Sequence, residues 1–258
     1  MVVNYRYRFE IRPGRFAYIP TDEHRDIAGD IINRVQRQWS PPRWCYHIGK
    51  RGGHIAALLV HTPNWWRARL DIEYFYGSVT RSKLNRALKR VGFSYAEANE
   101  IATTSTVRIG KGYALPYGFL QSSLLATLAL ANSALGTEIT QLIDDGFVLS
   151  VYVDDIIVSD PTHKGAVQDA ITRLVDAASR AAFTISADKT QGPTEEISVF
   201  NIVARGDYMM ITDDRMLEFW QRVIDNGESP SSEAMIRYVA GVNEAQADTL
   251  RAELTSSI

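Results

Sequence analysis

Apolar side chains recur at helical spacing in five stretches of the chain. In residues 22–38 they fall on one face of a helix, which Ser40-Pro41-Pro42 ends because proline lacks the backbone N–H that a helix uses. Further helices are predicted at residues 80–91, 95–103, about 120–135 and 163–182. After residue 212, breaks at residues 227–232 and 241–243 divide the end of the chain into three short helices.

Strands are predicted where β-branched and aromatic residues cluster between turn-forming residues. Residues 46–48 and 55–60 flank the sequence Gly49-Lys50-Arg51-Gly52-Gly53, which indicates a basic hairpin. The other predicted strands lie at residues 68–72, 147–153, 156–159, 183–186, 198–204 and 208–212, and residues 104–118 are predicted to be a loop. No internal repeat or linker separates these elements, so we expect them to share one body.

Two adjacent carboxylates, Asp154 and Asp155, lie between two segments rich in Val, Ile and Tyr. An acidic pair tolerates turn geometry, so the segment is predicted to be strand, turn and strand. Hard cations such as Mg²⁺ prefer oxygen ligands, and the pair therefore indicates a metal site for chemistry on phosphates. Adjacent side chains on one turn cannot both bridge ions ~3.5–4 Å apart, so a third acid is expected, and Asp71 at the end of an apolar strand is the best candidate. A second pair, Asp144 and Asp145, is predicted to be a polar turn between a helix and a strand.

The composition is that of an ordinary globular protein, with 45% hydrophobic and 22% charged residues in a chain of 258. Its single cysteine, Cys45, excludes an internal disulfide and a thiolate zinc cluster. The first 20 residues carry arginines without a continuous apolar run, and no stretch of about 18 apolar residues occurs. We therefore expect a cytoplasmic protein that has no membrane as a partner.

The net charge of −2 conceals a strong asymmetry. Residues 1–111 hold 19 Lys and Arg against 9 Asp and Glu, a balance of +10, and the remaining residues hold 9 against 21, a balance of −12. Aromatic residues are interleaved with the basic ones in the first part. Each aromatic residue taken singly is better explained by core packing, but the collective bias favours a polyanion such as a nucleic acid.

Four motifs occur in the order of the reverse transcriptase palm motifs. They are Asp71-Ile72-Glu73-Tyr74-Phe75-Tyr76, Leu115-Pro116-Tyr117-Gly118-Phe119-Leu120-Gln121-Ser122-Ser123, Tyr152-Val153-Asp154-Asp155 and Phe183-Thr184-Ile185-Ser186-Ala187-Asp188-Lys189-Thr190. Over roughly residues 45–225 the chain resembles reverse transcriptases, and most of all the compact bacterial retron, abortive-infection and defence-associated (antiphage) types. The resemblance implies an α+β fold, a right-hand polymerase palm with an antiparallel sheet packed on helices, reduced fingers and a small helical thumb. It assigns the reduced fingers and basic N-terminal region to residues 1–70, the palm with fingers-like helices at 80–110 to residues 71–212, and the thumb to residues 213–258.

The resemblance also implies roles for individual residues. Two Mg²⁺ ions, with Mn²⁺ as an alternative, would be bound at Asp71, Ile72, Asp154 and Asp155. Lys189 would protonate the leaving pyrophosphate as a general acid, unless it is a solvated turn lysine. Tyr76 matches the steric gate that excludes a ribose 2′-hydroxyl, and Phe75 takes this place if the turn is shifted.

Nucleotide contacts are implied for the second motif at Tyr117, Gly118 and Gln121, where the glycine permits close backbone approach. The chain departs from the family at Tyr117 and Ser123, where Gln and Pro are usual, and a stacking role is predicted for Tyr117.

The basic hairpin is predicted to supply Lys50 and Arg51 as a clamp for triphosphate oxygens. Another arginine of the family's fingers has no clear counterpart, and Arg67 or Arg69 is either its substitute or a surface residue. His47, His54 and His61 are spaced by seven, but no acidic or thiolate neighbour supports a metal site there.

The expected function is that of an RNA-directed DNA polymerase that adds dNTPs to a 3′-hydroxyl. Its expected partners are an RNA template, in the form of a dedicated structured non-coding RNA used in antiphage defence, and the DNA product. Because the fingers and thumb are short, a second copy of the chain or an effector protein is a further candidate partner. Two alternatives stay open: an untemplated nucleotidyltransferase, and a catalytically silent nucleic-acid-binding scaffold with a palm fold.

Overall fold

The computed structural model describes residues 4–256, which form eleven helices and eleven strands. The helices are α1 (Asp22–Gln38), α2 (Gly53–Leu59), α3 (Phe75–Ser78), α4 (Arg81–Arg90), α5 (Tyr95–Thr104), α6 (Ser122–Ala131), α7 (Ala134–Asp144), α8 (Lys164–Arg180), α9 (Asp213–Asn226), α10 (Pro230–Ala240) and α11 (Glu244–Ser256). The strands are β1 (Tyr5–Arg12), β2 (Arg15–Pro20), β3 (Trp66–Asp71), β4 (Val107–Ile109), β5 (Gly112–Ala114), β6 (Val148–Tyr152), β7 (Asp155–Asp160), β8 (Gln191–Thr194), β9 (Glu196–Val199), β10 (Ile202–Arg205) and β11 (Tyr208–Ile211). None of these helices combines the length and the apolar character needed to span a bilayer.

The central sheet has four antiparallel strands in the order β6-β7-β3-β8. Strand β7 is buried along almost its whole length, as its run of Ile156, Ile157 and Val158 predicts. In the pairing of β3 with β7, Asp71 lies opposite Asp155. The sheet therefore brings the predicted third acid to the same end as the acidic pair.

Helices complete the main core around this sheet. Their apolar faces share one large cluster with the strands, including Leu84, Leu88, Leu125, Leu128 and Leu174. Local signals start these helices where the sequence predicts them. The side chain of Thr80 caps α4, and Ser94 and Glu97 form a reciprocal capping box at α5.

A second core lies mainly in the C-terminal part and also includes Leu58 of α2 and Ile157 of β7. Strands β9, β10 and β11 form a three-stranded antiparallel sheet, and helices α9, α10 and α11 follow it. Ile197, Ile202, Phe219, Val239 and Leu250 belong to this second cluster. The three helices predicted after residue 212 are confirmed, whereas the predicted hairpin at residues 198–212 proves to be part of a three-stranded sheet.

An N-terminal hairpin of β1 and β2 precedes α1, and the sequence pattern did not reveal it. Most of β1 is exposed on both faces, so it lacks the alternation of buried and exposed residues that identifies a strand. The turn is made by Pro13 and Gly14, whose φ of 74° suits glycine. Tyr18 of β2 is buried against Val107 and Phe119, which anchors the hairpin to the body.

The basic hairpin predicted at residues 46–60 is wrong. Residues 53–59 form helix α2 instead, and Gly52 starts it in the left-handed conformation with φ of 83°. Ala57 and Leu58 of this helix are buried, so the apolar residues that suggested a strand are the packed face of a helix. Alanine favours helix over strand, and the pair Ala56-Ala57 was the signal that should have decided between them.

The prediction of one long helix at about residues 120–135 is also wrong, because two helices, α6 and α7, form there. Ser133 caps α7 by accepting a hydrogen bond from Gly136 N–H at 3.3 Å. A Cβ atom at Gly136 would lie 2.4 Å from the carbonyl oxygen of Leu130, so the two helices meet where only glycine fits. The predicted loop at 104–118 contains the small hairpin of β4 and β5.

The strand predicted at residues 183–186 is reduced to one isolated bridge between Ile185 and Ile72. The neighbour of β3 on that side is β8, which the sequence did not indicate. A strand built around Gly192 and Pro193 has too little β-propensity to be recognised from sequence.

Candidate active site

The acidic pair lies at the tip of the hairpin formed by β6 and β7. Tyr152 pairs with Asp155, so Val153 and Asp154 are the two residues of the turn. Val153 has a φ of 59°, a conformation that a β-branched residue rarely adopts. Strain of this kind persists only where the surroundings hold it in place, and it concentrates at functional sites.

His47 holds this strained turn. Its Nδ1 accepts a hydrogen bond from the Val153 N–H at 2.9 Å, so the ring proton is on Nε2, which lies 2.7 Å from the Thr127 hydroxyl. That hydroxyl donates in turn to the Ser123 carbonyl at 2.8 Å. Burial lowers the pKa of His47 to about 4, which keeps the imidazole neutral near pH 7. Sequence reasoning missed this role, because nothing in the local sequence around His47 points to a turn about a hundred residues away.

Three acidic residues lie at this end of the sheet. Asp71 at the end of β3 faces Asp155 across the ladder, and the N–H of Ile72 donates to the carbonyl of Asp154 at 2.8 Å. Asp71 is 4% exposed and Asp155 is 9% exposed. The structure therefore brings together the acids that the sequence singled out, with Ile72 tied to the turn that carries two of them.

Two basic side chains pair with two of these three acids. Lys189 Nζ donates to both carboxylate oxygens of Asp71, at 3.0 and 2.9 Å. Arg69 Nε donates to Asp155 at 2.8 Å. Burial raises the pKa of Asp155 to about 6, although Arg69 opposes the rise, and burial together with the charge of Asp71 raises the pKa of Asp154. The site thus concentrates negative charge in a poorly hydrated place that favours cations.

The donor set suits a hard divalent cation, because it consists of carboxylate oxygens held at neighbouring strand ends. In the side-chain positions of residues 4–256, no three acidic, histidine or cysteine groups lie close enough together to hold one metal ion. Lys189 and Arg69 already occupy oxygens of Asp71 and Asp155. A metal ion would have to compete with these two side chains.

Aromatic side chains border the acids. The rings of Tyr76 and Tyr117 make an edge-to-face contact with centroids 4.9 Å apart. Burial and the nearby charge of Asp154 raise the pKa of both phenols. Phe75 is different, since it is 1% exposed and belongs to the main core. The Phe75 ring is thus enclosed in the core, and both assignments of the gate stay predictions.

Gly118 lies directly beneath the N-terminal hairpin. Its φ is 99°, and a Cβ atom there would lie 2.3 Å from the carbonyl oxygen of Tyr18. Gln121 is fully buried, with Nε2 3.1 Å from His24 and 3.4 Å from the Ser105 hydroxyl. Its amide is therefore enclosed beside His24 and Ser105, and nucleotide contact by Gln121 stays a prediction.

The predicted cationic clamp is not assembled on residues 46–60. Arg51 donates to the backbone carbonyls of Pro41, Pro42 and Cys45 instead, so its guanidinium stabilises the loop that precedes α2. Lys50 is exposed in the same loop. The hairpin that would have presented Lys50 and Arg51 does not form, and their contact with a triphosphate stays a prediction.

Arg67 is fully buried and donates to the carbonyls of His61, Thr62, Glu195 and Gly206. It therefore ties β3 to three other segments, and its guanidinium group is engaged with backbone carbonyls. Arg69 pairs with Asp155 as described above.

The other two histidines lie apart from the acids. His61 is buried between the hydroxyls of Ser159 and Ser150, at 2.7 and 2.9 Å. His54 contacts the Tyr238 hydroxyl at 3.0 Å and the ring of Tyr152. His47, His54 and His61 therefore contact three different parts of the fold, although they are evenly spaced in the sequence.

Comparison with known proteins identifies a family that this chain matches. Residues 17–204 match the family described as reverse transcriptase (RNA-dependent DNA polymerase). A search of curated proteins found no match.

Two solved structures are similar in fold. One is telomerase from Candida albicans in complex with the TWJ fragment of telomeric RNA, with a TM-score of 0.52 and 12% identity over 90% of this chain and 48% of that one. The other is a foamy viral protease-reverse transcriptase in complex with double-stranded DNA, with a TM-score of 0.51 and 14% identity over 97% of this chain and 43% of that one. The chain spans less than half the length of either. The predicted α+β palm is confirmed at the level of fold.

Proposed function

The chain belongs to the reverse transcriptase (RNA-dependent DNA polymerase) family, and from that premise we propose that it is an RNA-directed DNA polymerase. The proposed reaction adds a dNTP to a nucleic-acid 3′-hydroxyl with loss of pyrophosphate. The observation that carries the proposal is the meeting of Asp71 with Asp154 and Asp155 at one end of the central sheet. Burial raises the pKa of Asp154 and Asp155, and a scaffold would have no need for acids in a place that disfavours their charge.

Divalent metal ions are the expected cofactors, Mg²⁺ first and Mn²⁺ as an alternative. Asp71, Asp154 and Asp155 would hold them, beside the backbone of Ile72. When bound, such ions lower the pKa of a hydroxyl nucleophile and neutralise charge on the nucleotide phosphates. Lys189 already contacts Asp71 as a cation, which supports the view that this carboxylate binds positive charge.

Lys189 is proposed to supply the proton that the leaving pyrophosphate takes up. Its Nζ is held within 3.0 Å of Asp71, while 44% of its side chain is exposed. A lysine that is anchored at the carboxylates and open to solvent is placed to donate a proton to a phosphate oxygen. Its partner Asp71 fixes the direction in which the ammonium group points.

Tyr76 and Tyr117 are proposed to shape the sugar and base sites. Their edge-to-face contact fixes the Tyr76 ring beside Asp154, where a bulky ring would exclude a ribose 2′-hydroxyl. Tyr117 supplies a second aromatic surface where the family usually has an amide. Gly118 permits close approach of the backbone at this point.

The RNA partner is proposed on a narrower basis. The sequence resembles the compact bacterial types, and this resemblance motivates a dedicated non-coding RNA and a role in antiphage defence, whereas a cytoplasmic location is proposed from the single cysteine and the absence of long apolar runs in this sequence. Sequencing the nucleic acid that copurifies with the protein tests this part. One enriched structured RNA is expected, and a random sample of cellular RNA would contradict the dedicated template.

The catalytic proposal is tested by extension of a DNA primer on an RNA template with dNTPs and Mg²⁺. The double variant Asp154→Asn/Asp155→Asn is expected to lose extension, because an amide binds divalent cations poorly. The matched control is Asp144→Asn/Asp145→Asn, which alters the other acidic pair at the end of α7 and should extend normally. Failure of the wild type on every template would favour the scaffold, and incorporation that ignores the template would favour the untemplated transferase.

A further inference from the structure

Helix α4 carries a strongly basic face. Its ten residues include five Lys or Arg and no Asp or Glu. Lys83, Arg86 and Arg90 follow one another at intervals of three and four residues, so they lie on the same side of the helix. Like charges at this spacing destabilise a helix. The basic face therefore lowers the stability of α4 unless an anion binds to it.

This face lines a cavity of about 290 Å³, the basic pocket, which lies between α4, the junction of α6 and α7, and the end of α8. Four cationic side chains line the pocket: Lys83, Arg86, Arg90 and Arg180. Ser133 and Ala134 line it as well, where α7 begins. The first N–H groups of a helix have no partner within the helix and favour anions, so this element adds to the positive potential. The pocket shares no residue with the acidic site.

Protein carboxylates leave this charge almost uncompensated. Among residues 4–256, none lies within ion-pair distance of Lys83, Arg86 or Arg90. Arg180 has a single distant partner in the described chain, Glu138, at 3.9 Å. Burial and the neighbouring charge of Arg86 lower the pKa of Lys83 to about 8, which shows that the cations repel one another. A bound anion would relieve this repulsion.

Backbone contacts hold two of the cations in place. Lys83 Nζ donates to the carbonyl of Ala182 at 2.9 Å, and Arg90 donates to the carbonyl of Asn132. These bonds fix α4 to the ends of α8 and α6. Arg86 differs, because in the described part of the chain it has neither a hydrogen bond nor an ion pair, and its side chain is exposed. All of its N–H donors are therefore available to a ligand.

The lining of the basic pocket indicates which anion it suits. Guanidinium groups present paired N–H donors that match phosphate oxygens. No aromatic side chain lines the pocket, so it offers no surface on which a base could stack. Its volume lies just below the usual range of small-molecule pockets, about 300–1,000 Å³, so it does not enclose a whole nucleotide. Because Arg86, Arg90 and Arg180 are exposed, a strand can pass across them and place its phosphates in the pocket.

We propose that the basic pocket binds the phosphate backbone of an RNA at a place separate from the active site. The choice of RNA as the partner rests on the polymerase function proposed above. Contacts to the backbone position a nucleic acid without reading its sequence. The pocket therefore holds a structured RNA by charge, while the acidic site acts on another part of the same molecule.

The test measures the affinity of the full chain for fluorescein-labelled bulk transfer RNA, a structured RNA, by fluorescence anisotropy over a range of salt concentrations. Arg86→Gln should weaken binding by about 3- to 10-fold at low salt and reduce the slope of log K against log salt by about 1. Arg86→Gln/Arg180→Gln should lose more, and Arg86→Lys should keep most of the affinity. The matched control is Lys89→Gln, which removes an exposed cation of α4 that does not line the pocket and should bind almost normally.

Two further readouts distinguish a binding role from a structural one. Arg86→Gln removes no contact within residues 4–256, so its midpoint in urea unfolding should not fall below that of the wild type. Its kcat and its KM for dTTP should also stay unchanged on a short poly(rA)·oligo(dT) template-primer, because the pocket is separate from the acids.

Equal affinity of Arg86→Gln and the wild type for transfer RNA would overturn the proposal, as would an equal loss in Lys89→Gln. Inorganic phosphate is the probe for a free anion. If it raises the unfolding midpoint of the wild type but not that of Arg86→Gln, while the affinity for RNA is unchanged, the pocket is a free-phosphate site and the RNA proposal is overturned. A wild type that binds RNA through Arg86 but extends no primer would overturn the polymerase function and support the pocket.

Discussion

The hydrogen bond from Val153 to His47 offers a sharp test of how the active site is held. His47→Leu removes the acceptor for the Val153 N–H and the partner of Thr127. A buried donor left without an acceptor costs about 1–3 kcal/mol, and a non-glycine residue at positive φ costs about 1–2 kcal/mol. Without His47 the turn can release that strain by changing conformation, which moves Asp154. We expect a loss of about 2 kcal/mol in unfolding free energy, because relaxation returns part of the strain.

The effect on catalysis should be larger than the effect on stability suggests. A misplacement of about 1 Å at a reacting site lowers turnover by about 100-fold, so kcat should fall by about 10- to 100-fold while the KM for dNTP changes little. His47→Asn provides the matched control, since its amide oxygen can take the place of Nδ1 as the acceptor. Urea unfolding and single-nucleotide extension measure the two quantities.

A second substitution distinguishes the backbone strain at Val153 from the positioning of Asp154. Val153→Gly in the His47→Leu background should regain less than about 1 kcal/mol of stability, the part of the Cβ penalty at φ of 59° that the relaxed turn still carries. It should not regain kcat, because the turn is still unanchored. Wild-type kcat in His47→Leu would refute the reasoning.

Three other predictions concern the surroundings of the site. Gly118→Ala should lower the unfolding free energy by about 2 kcal/mol or more and raise the KM for dNTP, since its Cβ would lie 2.3 Å from the Tyr18 carbonyl. The control is Gly112→Ala, whose Cβ would meet nothing within 4 Å. Equal effects of the two substitutions would contradict the contact between Gly118 and Tyr18. Burial lowers the pKa of His61 to about 3, so the stability that its neutral form contributes is present above pH 6.5 and is lost as pH falls from there toward 3. Between pH 7 and pH 5 the unfolding free energy of the wild type should therefore fall about 2 kcal/mol more than that of His61→Gln, and parallel curves in urea would show that His61 is not the titrating group. Tyr76→Ala should reduce discrimination against rNTPs by about 10-fold or more in single-nucleotide extension, and unchanged discrimination would remove Tyr76 as the gate.

The sequence identified the carboxylates because their signals are local. Asp154 and Asp155 interrupt two β-rich segments, and Asp71 ends an apolar strand, so each position follows from a short pattern. Helix α1 was predicted with its observed bounds for the same reason, since spacing and the following prolines suffice. The order of the four motifs indicated that these separate positions form one site, which no single local pattern could show.

The failures arise where distant contacts decide the structure. Residues 55–59 have an apolar run that suits either a helix or a strand, and packing of Ala57 and Leu58 in the core settles it. Gln121 and Phe75 lie within motifs that carry function, yet tertiary packing buries both. His47 acts on a turn about a hundred residues away, and β1 is exposed on both faces, so neither leaves a periodic signal.

The central claim is that the site copies RNA into DNA, and the most direct measurement is the sequence of its product. The purified chain is given a defined RNA template, a DNA primer, Mg²⁺ and all four dNTPs, and the extended strands are sequenced. We predict DNA complementary to the template, and its loss when Asp154 and Asp155 are both replaced by Asn. A product whose sequence is independent of the template, or synthesis that survives the double replacement, would contradict it.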